Sequence, residues 1–458
     1  MVKASSHRNL SRDDAPLTPE HGARVLFGRV SELVSALADS AMPRAREFVR
    51  LETALEPCDL LQWLRGAPAG ARRYFRDRSA KFEVAGIGIA AADQFGAHES
   101  WEQREGSSAT ASTWFVALPF DPARARDPQW GAFVDSECVL PLIELRRSGE
   151  THQLAVNITA STDVVALLEL LERVANPDKS CIVEPALVRE NDGTGEAEWT
   201  RAVCAGLTRI REGSLRKIVL ARTRRYSASA PLDPVAVLMR LAARETRGFR
   251  FLLETAPRCA FLGVTPERLV SRTDRTVRSE AVAGTRPRGV DSVADRLLGE
   301  SLLASAKDRR EHELVIECVR DALASRALTL RVDAEPRLLR LAYVQHLATR
   351  VHAEMPAGTS DADLVALLHP TPAVAGSPVP RAVETLREFE PFDRGLYAGP
   401  IGVVSRDGAE IAVAIRSARI DGDVLTAFAG AGIVEGSDPA EEWRETGHKL
   451  LVFERLAN

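Results

Sequence analysis

Cysteine is scarce in this chain. Its six cysteines, Cys58, Cys138, Cys181, Cys204, Cys259 and Cys318, are spread over 458 residues. None lies in a C-x-x-C pair, and the spacing matches neither a zinc site nor a disulfide framework. Free thiols in a reducing cytoplasm are therefore expected. Long apolar runs are missing too: none approaches the ~20 residues of a membrane span. The stretch from Met1 to about Glu20 is polar and has no apolar h-region. It reads as a frayed tail rather than a secretory signal. Neither sign of charge dominates, since 60 basic and 64 acidic residues give a net charge of −4. That balance argues against a nucleic-acid partner or a membrane surface. Aromatics are only 5% of the chain, yet 45% is hydrophobic, which supports a substantial core. Length alone allows one large domain or two to three ordinary ones.

The pattern predicts a helix around Val30–Leu37, then strands over Lys81–Ala91 and Ser112–Leu118. A strand pair, Val139–Arg146 with Gln153–Ile158, turns at Ser148-Gly149. A helix over Thr162–Ala175 follows, and the loop Asn191–Gly195 separates an N-terminal part, residues 21–190, from a C-terminal region, 191–458. That region holds predicted helices over Glu196–Glu212, Pro234–Thr246, Asp291–Ala306, Lys307–Arg326 and Pro439–Leu456, with short strands between them. Asp438 as N-cap and Pro439 at the first helical position mark the start of the last helix. Strands and helices come in runs rather than strict alternation, which favours an α+β fold over a parallel α/β sheet.

Charges on otherwise apolar faces cost free energy unless paired or bound to a metal, and the second half has several. Lys217 opens the apolar run Lys217-Ile-Val-Leu-Ala221. There it is either a desolvated base or a charge that snorkels to the strand end. Glu267 ends Phe261-Leu-Gly-Val-Thr-Pro-Glu267, where a carboxyl points into a cleft or merely completes a turn. Asp308 and Glu311 share a helix face with Val315 and Cys318. Glu442, Glu445 and Lys449 share another with Phe453. The alternatives are helix-end charges, internal ion pairs, or oxygen ligands for one Mg²⁺. Arg416 is read as a lone arginine on an apolar strand, holding either an internal carboxylate or a substrate's. The glycine-rich run Ala429–Ser437 is not a dinucleotide fingerprint, though Gly430 and Gly432 are able to bring backbone N–H groups close to an anion.

Taken in order, these segments resemble the chorismate-utilising enzymes, and among them the isochorismate synthases. The resemblance runs over about Glu196–Leu451. It includes Ala283-Gly-Thr-Arg-Pro-Arg-Gly289, Gln345-His-Leu-Ala-Thr349, Leu368-His-Pro-Thr-Pro-Ala-Val-Ala-Gly376, Arg394-Gly-Leu-Tyr-Ala-Gly-Pro400 and Glu442-Trp-Arg-Glu-Thr446. It implies one large α+β domain with two packed β-sheets flanked by helices. It implies Lys217 as base, Glu267 as acid, and Glu311 and Glu445 as Mg²⁺ ligands with Asp308 and Glu442 in support. Tyr397, Arg416, Lys449 and the amides near Gly430 and Gly432 match positions that hold substrate carboxylates. Gly284 and Thr285 match residues lining the site, and His346 one beside the reacting ring.

The implied reaction is Mg²⁺-dependent isomerisation of chorismate to isochorismate, for menaquinone, siderophore or salicylate production. The implied enzyme is a cytoplasmic monomer without an obligatory glutaminase. Salicylate synthase, which adds pyruvate elimination, is the nearest rival. An anthranilate or aminodeoxychorismate synthase component is further off, because Lys217 stands where the anthranilate type has glutamine. Ala281-Val-Ala-Gly-Thr285 also lacks the Pro-Ile-Lys-Gly-Thr of the aminodeoxychorismate type.

Overall fold

A computed structural model describes residues 17–37, 49–95, 112–133, 137–177 and 185–457. Residues 1–16 of the expected tail and Cys181 lie outside the described residues. Two antiparallel sheets, of twelve and ten described strands, organise the chain. The first runs from Val49–Leu55 through Thr151–Ile158, Ile143–Ser148, Phe82–Ile87 and Arg72–Arg76. It continues through Phe249–Ala256, Cys259–Thr265, Ser417–Asp421, Val424–Ile433 and Lys217–Ala228. The second includes Val344–Glu354, Thr276–Pro287, Arg268–Thr273, Gly408–Val413, Pro400–Val404 and Trp114–Ala117 in that order. Strands of both chain halves enter both sheets. The fold is α+β, as the runs of like elements predict.

Period-2 alternation explains the layering. Phe251, Leu253 and Phe261 face a core between the sheets, with Val277 and Ile411 from the second sheet. Their neighbours Leu252 and Leu262 face the helices, among Leu64, Leu238, Leu450 and Phe453. Full burial of one such side chain contributes roughly 1.5–3 kcal/mol.

The structure departs from the expected elements in several places; the predicted strand Lys81–Ala91, for one, is Phe82–Ile87 of the first sheet and Ala91–Asp93 of the second. The predicted strand Val139–Arg146 is two strands in different sheets, Glu137–Leu140 and Ile143–Ser148. Pro141 lies between them and has no N–H for a ladder, so the chain changes sheets there. The strand Val424–Ile433 extends through the glycine-rich run, with Gly430 opposite Ala221 and Gly432 opposite Val219. Gly430 and Gly432 are thus strand positions. Arg416 is not on a strand either. It lies between Gly408–Val413 of the second sheet and Ser417–Asp421 of the first, with φ +51°.

That sheet switch runs beside another. Cys259–Thr265 belongs to the first sheet and Arg268–Thr273 to the second, so Pro266-Glu267 is also a crossover. The two are laced together. Thr265 Oγ1 donates to the Val413 carbonyl at 2.6 Å, and the Val413 amide donates to the Glu267 carbonyl at 3.0 Å. The Val264 amide donates to the Arg416 carbonyl at 3.2 Å.

Candidate active site

A cavity of about 690 Å³, mouth included, opens beside these crossovers. Lys217, Glu267, Gly284, Thr285, Glu311, His346, Tyr397, Arg416, Gly430, Gly432, Glu445 and Lys449 line it. Asp308 and Glu442 do not. The sequence argument missed most of the apolar wall, which includes Val219, Ala373, Val374, Ile415 and Phe428. Val219 was legible as the residue two after Lys217 on the same strand face. Ala373 and Val374 lie in the Leu368–Gly376 motif, whose small and apolar residues carry no chemical signal.

Lys217 is the first residue of its strand and only 1% exposed. Its Nζ lies 2.9 Å from Glu311 Oε1. Gly432 makes room for that pair: a Cβ there would lie 2.4 Å from Glu311 Oε1 and 2.9 Å from Lys217 Cε. Gly430 does the same for Tyr397, whose hydroxyl would be 3.0 Å from an added Cβ. Both glycines therefore act by leaving a strand face bare. Tyr397 stacks on Phe428 with ring centroids 5.1 Å apart, and burial pushes its hydroxyl up to about 12.

Glu267 is buried at its crossover, and no side chain among the described residues hydrogen-bonds its carboxyl. Burial, helped by the nearby charge of Glu280 and opposed by Lys217 and Lys449, pushes it up to about 8. It therefore carries a proton at neutral pH.

The state of His346 follows from its neighbours. Arg416 Nη2 donates to Nε2 at 3.2 Å, and a guanidinium has no lone pair to offer in return. Nδ1 lies 3.0 Å from the Gly284 carbonyl, which only accepts. The ring is therefore neutral with its proton on Nδ1. Burial, then Arg416 and Lys449, hold its proton affinity well below the usual histidine range. Gly284 has φ +72° and sits where the pairing of Thr276–Pro287 with Val344–Glu354 shifts register. A bulge of this kind re-aims a carbonyl next to a site. Thr285 Oγ1 lies 3.2 Å from the same nitrogen.

Arg416 has no ion-pair partner within 4.0 Å among the described residues. Burial lowers its pKa, and Glu245 and Glu445 oppose that from farther off. A guanidinium aimed into a cavity with no carboxylate on it is a ready anion clamp. Lys449 is more occupied: its Nζ donates to Glu445 at 2.6 Å and to the Gly430 carbonyl at 2.8 Å.

The helix Pro439–Ala457 delivers Glu442, Glu445 and Lys449. Its N-cap is Asp438, which accepts from the amides of Ala440 and Glu441. Arg222, from the Lys217 strand, stacks 3.5 Å over the Trp443 ring and donates to Thr446 Oγ1 at 2.7 Å. That contact ties the helix to the strand that bears Lys217.

The four candidate ligands do not converge, and among the described residues no cluster of three metal-ligating side chains forms. Asp308 turns to Arg286 at 2.7 Å, and Glu442 to Lys307 at 3.2 Å. Glu311 and Glu445 face the cavity. Two carboxylates beside open space suit Mg²⁺, which usually takes one or two carboxylates and fills its shell with water and substrate oxygens. Burial first, and then the nearby Glu445, pushes Glu442 up to about 7, with Lys307 opposing both. Burial also pushes Glu445 up, but Lys449, Lys307 and Arg416 together outweigh it and hold the carboxyl below the usual range.

Known proteins share this arrangement of chain. Isochorismate synthase MenF of Bacillus subtilis is 32% identical over 431 residues, 88% of this chain and 91% of its own length. The salicylate biosynthesis isochorismate synthase of Pseudomonas aeruginosa is 36% identical over 343 residues, 73% of this chain and 72% of its own. The structure of MenF, the menaquinone-specific isochorismate synthase of Escherichia coli, superposes with a TM-score of 0.82 at 27% identity. It covers 94% of this chain and all of that one. The family model described as chorismate binding enzyme matches residues 35–456, so the likeness reaches well before Glu196, through the N-terminal strands that complete both sheets. With a buried carboxyl, a buried amine and a guanidinium that has no carboxylate partner among the described residues around one cavity, and a family match from end to end of that frame, the chain belongs to the chorismate binding enzymes.

Proposed function

We propose that the protein is an isochorismate synthase, an isomerase that adds water at C2 of chorismate and expels the C4 hydroxyl. The observation that carries the reading is Glu267: a buried carboxyl that keeps its proton up to about pH 8, facing the same cavity as the amine of Lys217. An acid and a base on one cavity suit a displacement that needs a proton removed at one carbon and supplied at another. Lys217 takes a proton from the attacking water. The new C2–O bond forms as the ring double bond shifts and the C4–O bond breaks. Glu267 gives its proton to the departing oxygen, which leaves as water. One water enters and one leaves, so no redox cofactor is needed.

Arg416 and the Tyr397 hydroxyl hold the substrate carboxylates, with Lys449 beside them. His346, neutral and fixed by Gly284 and Arg416, packs by the ring without competing for the proton. Glu311 and Glu445 would hold Mg²⁺, with Asp308 and Glu442 in support. When bound, the ion offsets carboxylate charge and stabilises negative charge developing on the substrate. Free Cys58, Cys138, Cys204, Cys259 and Cys318 suit a cytoplasmic enzyme. Among the described residues no helix is long and apolar enough to cross a membrane.

Incubation with chorismate and Mg²⁺, with and without ammonium, tests the reading by product analysis. Isochorismate alone is expected. Salicylate with pyruvate, or anthranilate in the ammonium arm, would replace it with one of the rival reactions.

A further inference from the structure

The N-terminal strands complete both sheets, and one residue among them reaches the acid's crossover. Arg78 sits between the strands Arg72–Arg76 and Phe82–Ile87. Its Nη1 donates to the Pro266 carbonyl at 2.7 Å, the residue immediately before Glu267. Its Nη2 donates to both oxygens of Glu280, at 2.6 and 2.8 Å. Arg337 at 3.2 Å and Arg268 at 3.5 Å share that carboxylate. Arg78 and Arg268 each stack over the Phe249 ring, both 5.4 Å from its centroid. One guanidinium thus joins a first-sheet turn, the crossover, and the second-sheet strand behind it.

We propose that Arg78 is a positioning residue for the Glu267 carboxyl: it pins the crossover through Pro266 and holds the Glu280 carboxylate in place behind the acid. The proposal rests on Glu267 being the proton donor of the reading above. A planar fork is required, because the carbonyl and the carboxylate lie in different directions and an ammonium on a flexible stem would not hold both. Glu267 is also faced by Lys217 from its strand, by Lys449 from the last helix and by Tyr397. Of the groups acting on Glu267, Glu280 is the anion, and it strengthens the hold on the proton.

The test uses Arg78→Lys, Arg78→Met and Glu280→Gln in the full chain. The Glu267 carboxyl is titrated by carbon-13 NMR in ligand-free protein and assigned by its loss in Glu267→Gln. Arg78→Met leaves Glu280 less compensated and should move the titration up. Glu280→Gln removes the anion and should move it down, each by roughly half a unit to one unit. Arg78→Lys should leave the titration near its place but lower kcat about tenfold with KM little changed, since charge is kept and the fork is lost. Two unmoved titrations, shifts of the same sign, or wild-type kcat in Arg78→Met would overturn the proposal. The titration needs no chorismate. A failure of the isochorismate assay alone would therefore count against the proposed reaction, while the titration still decides on Arg78.

Discussion

Burial makes Glu267 keep a proton that, in the proposed reaction, it gives up to the departing oxygen. Its replacement by glutamine preserves size and hydrogen bonding but removes the transferable proton. kcat should fall by roughly 10²–10⁴-fold, the usual range for one general acid. In the native enzyme kcat/KM should decline as pH rises through about 8, as the carboxyl ionises. The same group bears on stability. Its folded pKa is raised from 4.5 to about 8, so the folded state binds more protons than the unfolded one across that window. The stability it contributes is fully present below the unfolded value and lost as pH rises through the folded one. Glu267→Gln should therefore gain in denaturant midpoint over the native protein between pH 5 and pH 9, and a gap that shrinks with pH would contradict the buried acid. Arg416→Lys keeps a cation but not the bidentate fork. It should lower kcat/KM roughly 10–100-fold, the cost of a lost hydrogen bond to a charged group, and unchanged kinetics would return Arg416 to a purely structural part.

At the level of elements, the pairing of Lys217–Ala228 with Val424–Ile433 sets the site's inner wall. Gly432→Ala would drive a methyl into the Lys217–Glu311 pair. The far end of a glutamate can yield, so the melting temperature should change little. Displacing two functional groups by about an ångström should cost roughly 10²-fold in kcat/KM. A fully active, fully stable Gly432→Ala would show that the bare strand face is not needed. Most site residues were legible because a charge on an apolar run is conspicuous before any partner is known: Lys217, Glu267 and Glu445 stood out in this way. What Glu311 pairs with was not legible, since it comes from a helix 94 positions on in the chain. Nor could helical spacing separate Glu311 from Asp308, because which of two neighbouring faces turns to the cavity depends on the docking of the whole helix. That the strand runs on through Gly430 and Gly432 was not legible, because glycine weakens every local strand signal, whereas the partner strand supplies the ladder.

For the whole molecule, α+β character was visible in the clustering of like elements, but the sheet assignment was not. Pro141, Pro266-Glu267 and Arg416 each mark a point where one apolar stretch leaves one sheet for the other, and hydrophobic alternation reads the same in both. A chelator should abolish turnover, and Mg²⁺ at millimolar concentration should raise the melting temperature by roughly 2–4 °C through binding to the folded state. That rise should vanish in the double variant Glu311→Gln with Glu445→Gln. A native protein that turns over fully in EDTA and melts identically with and without the ion would remove the metal from the mechanism. The paired crossovers also bear on how such a chain tolerates changes in length. Residues added to the hairpin tip at Ser148-Gly149 lie at the end of a ladder and alter nothing downstream. One residue inserted between Thr265 and Arg268 would turn every later side chain of Arg268–Thr273 to the wrong face, or else break the bonds to Val413 that tie the two crossovers together. Insertions and deletions tolerated in a library of variants should therefore collect at hairpin tips and leave Thr265–Arg268 and Val413–Ser417 at constant length.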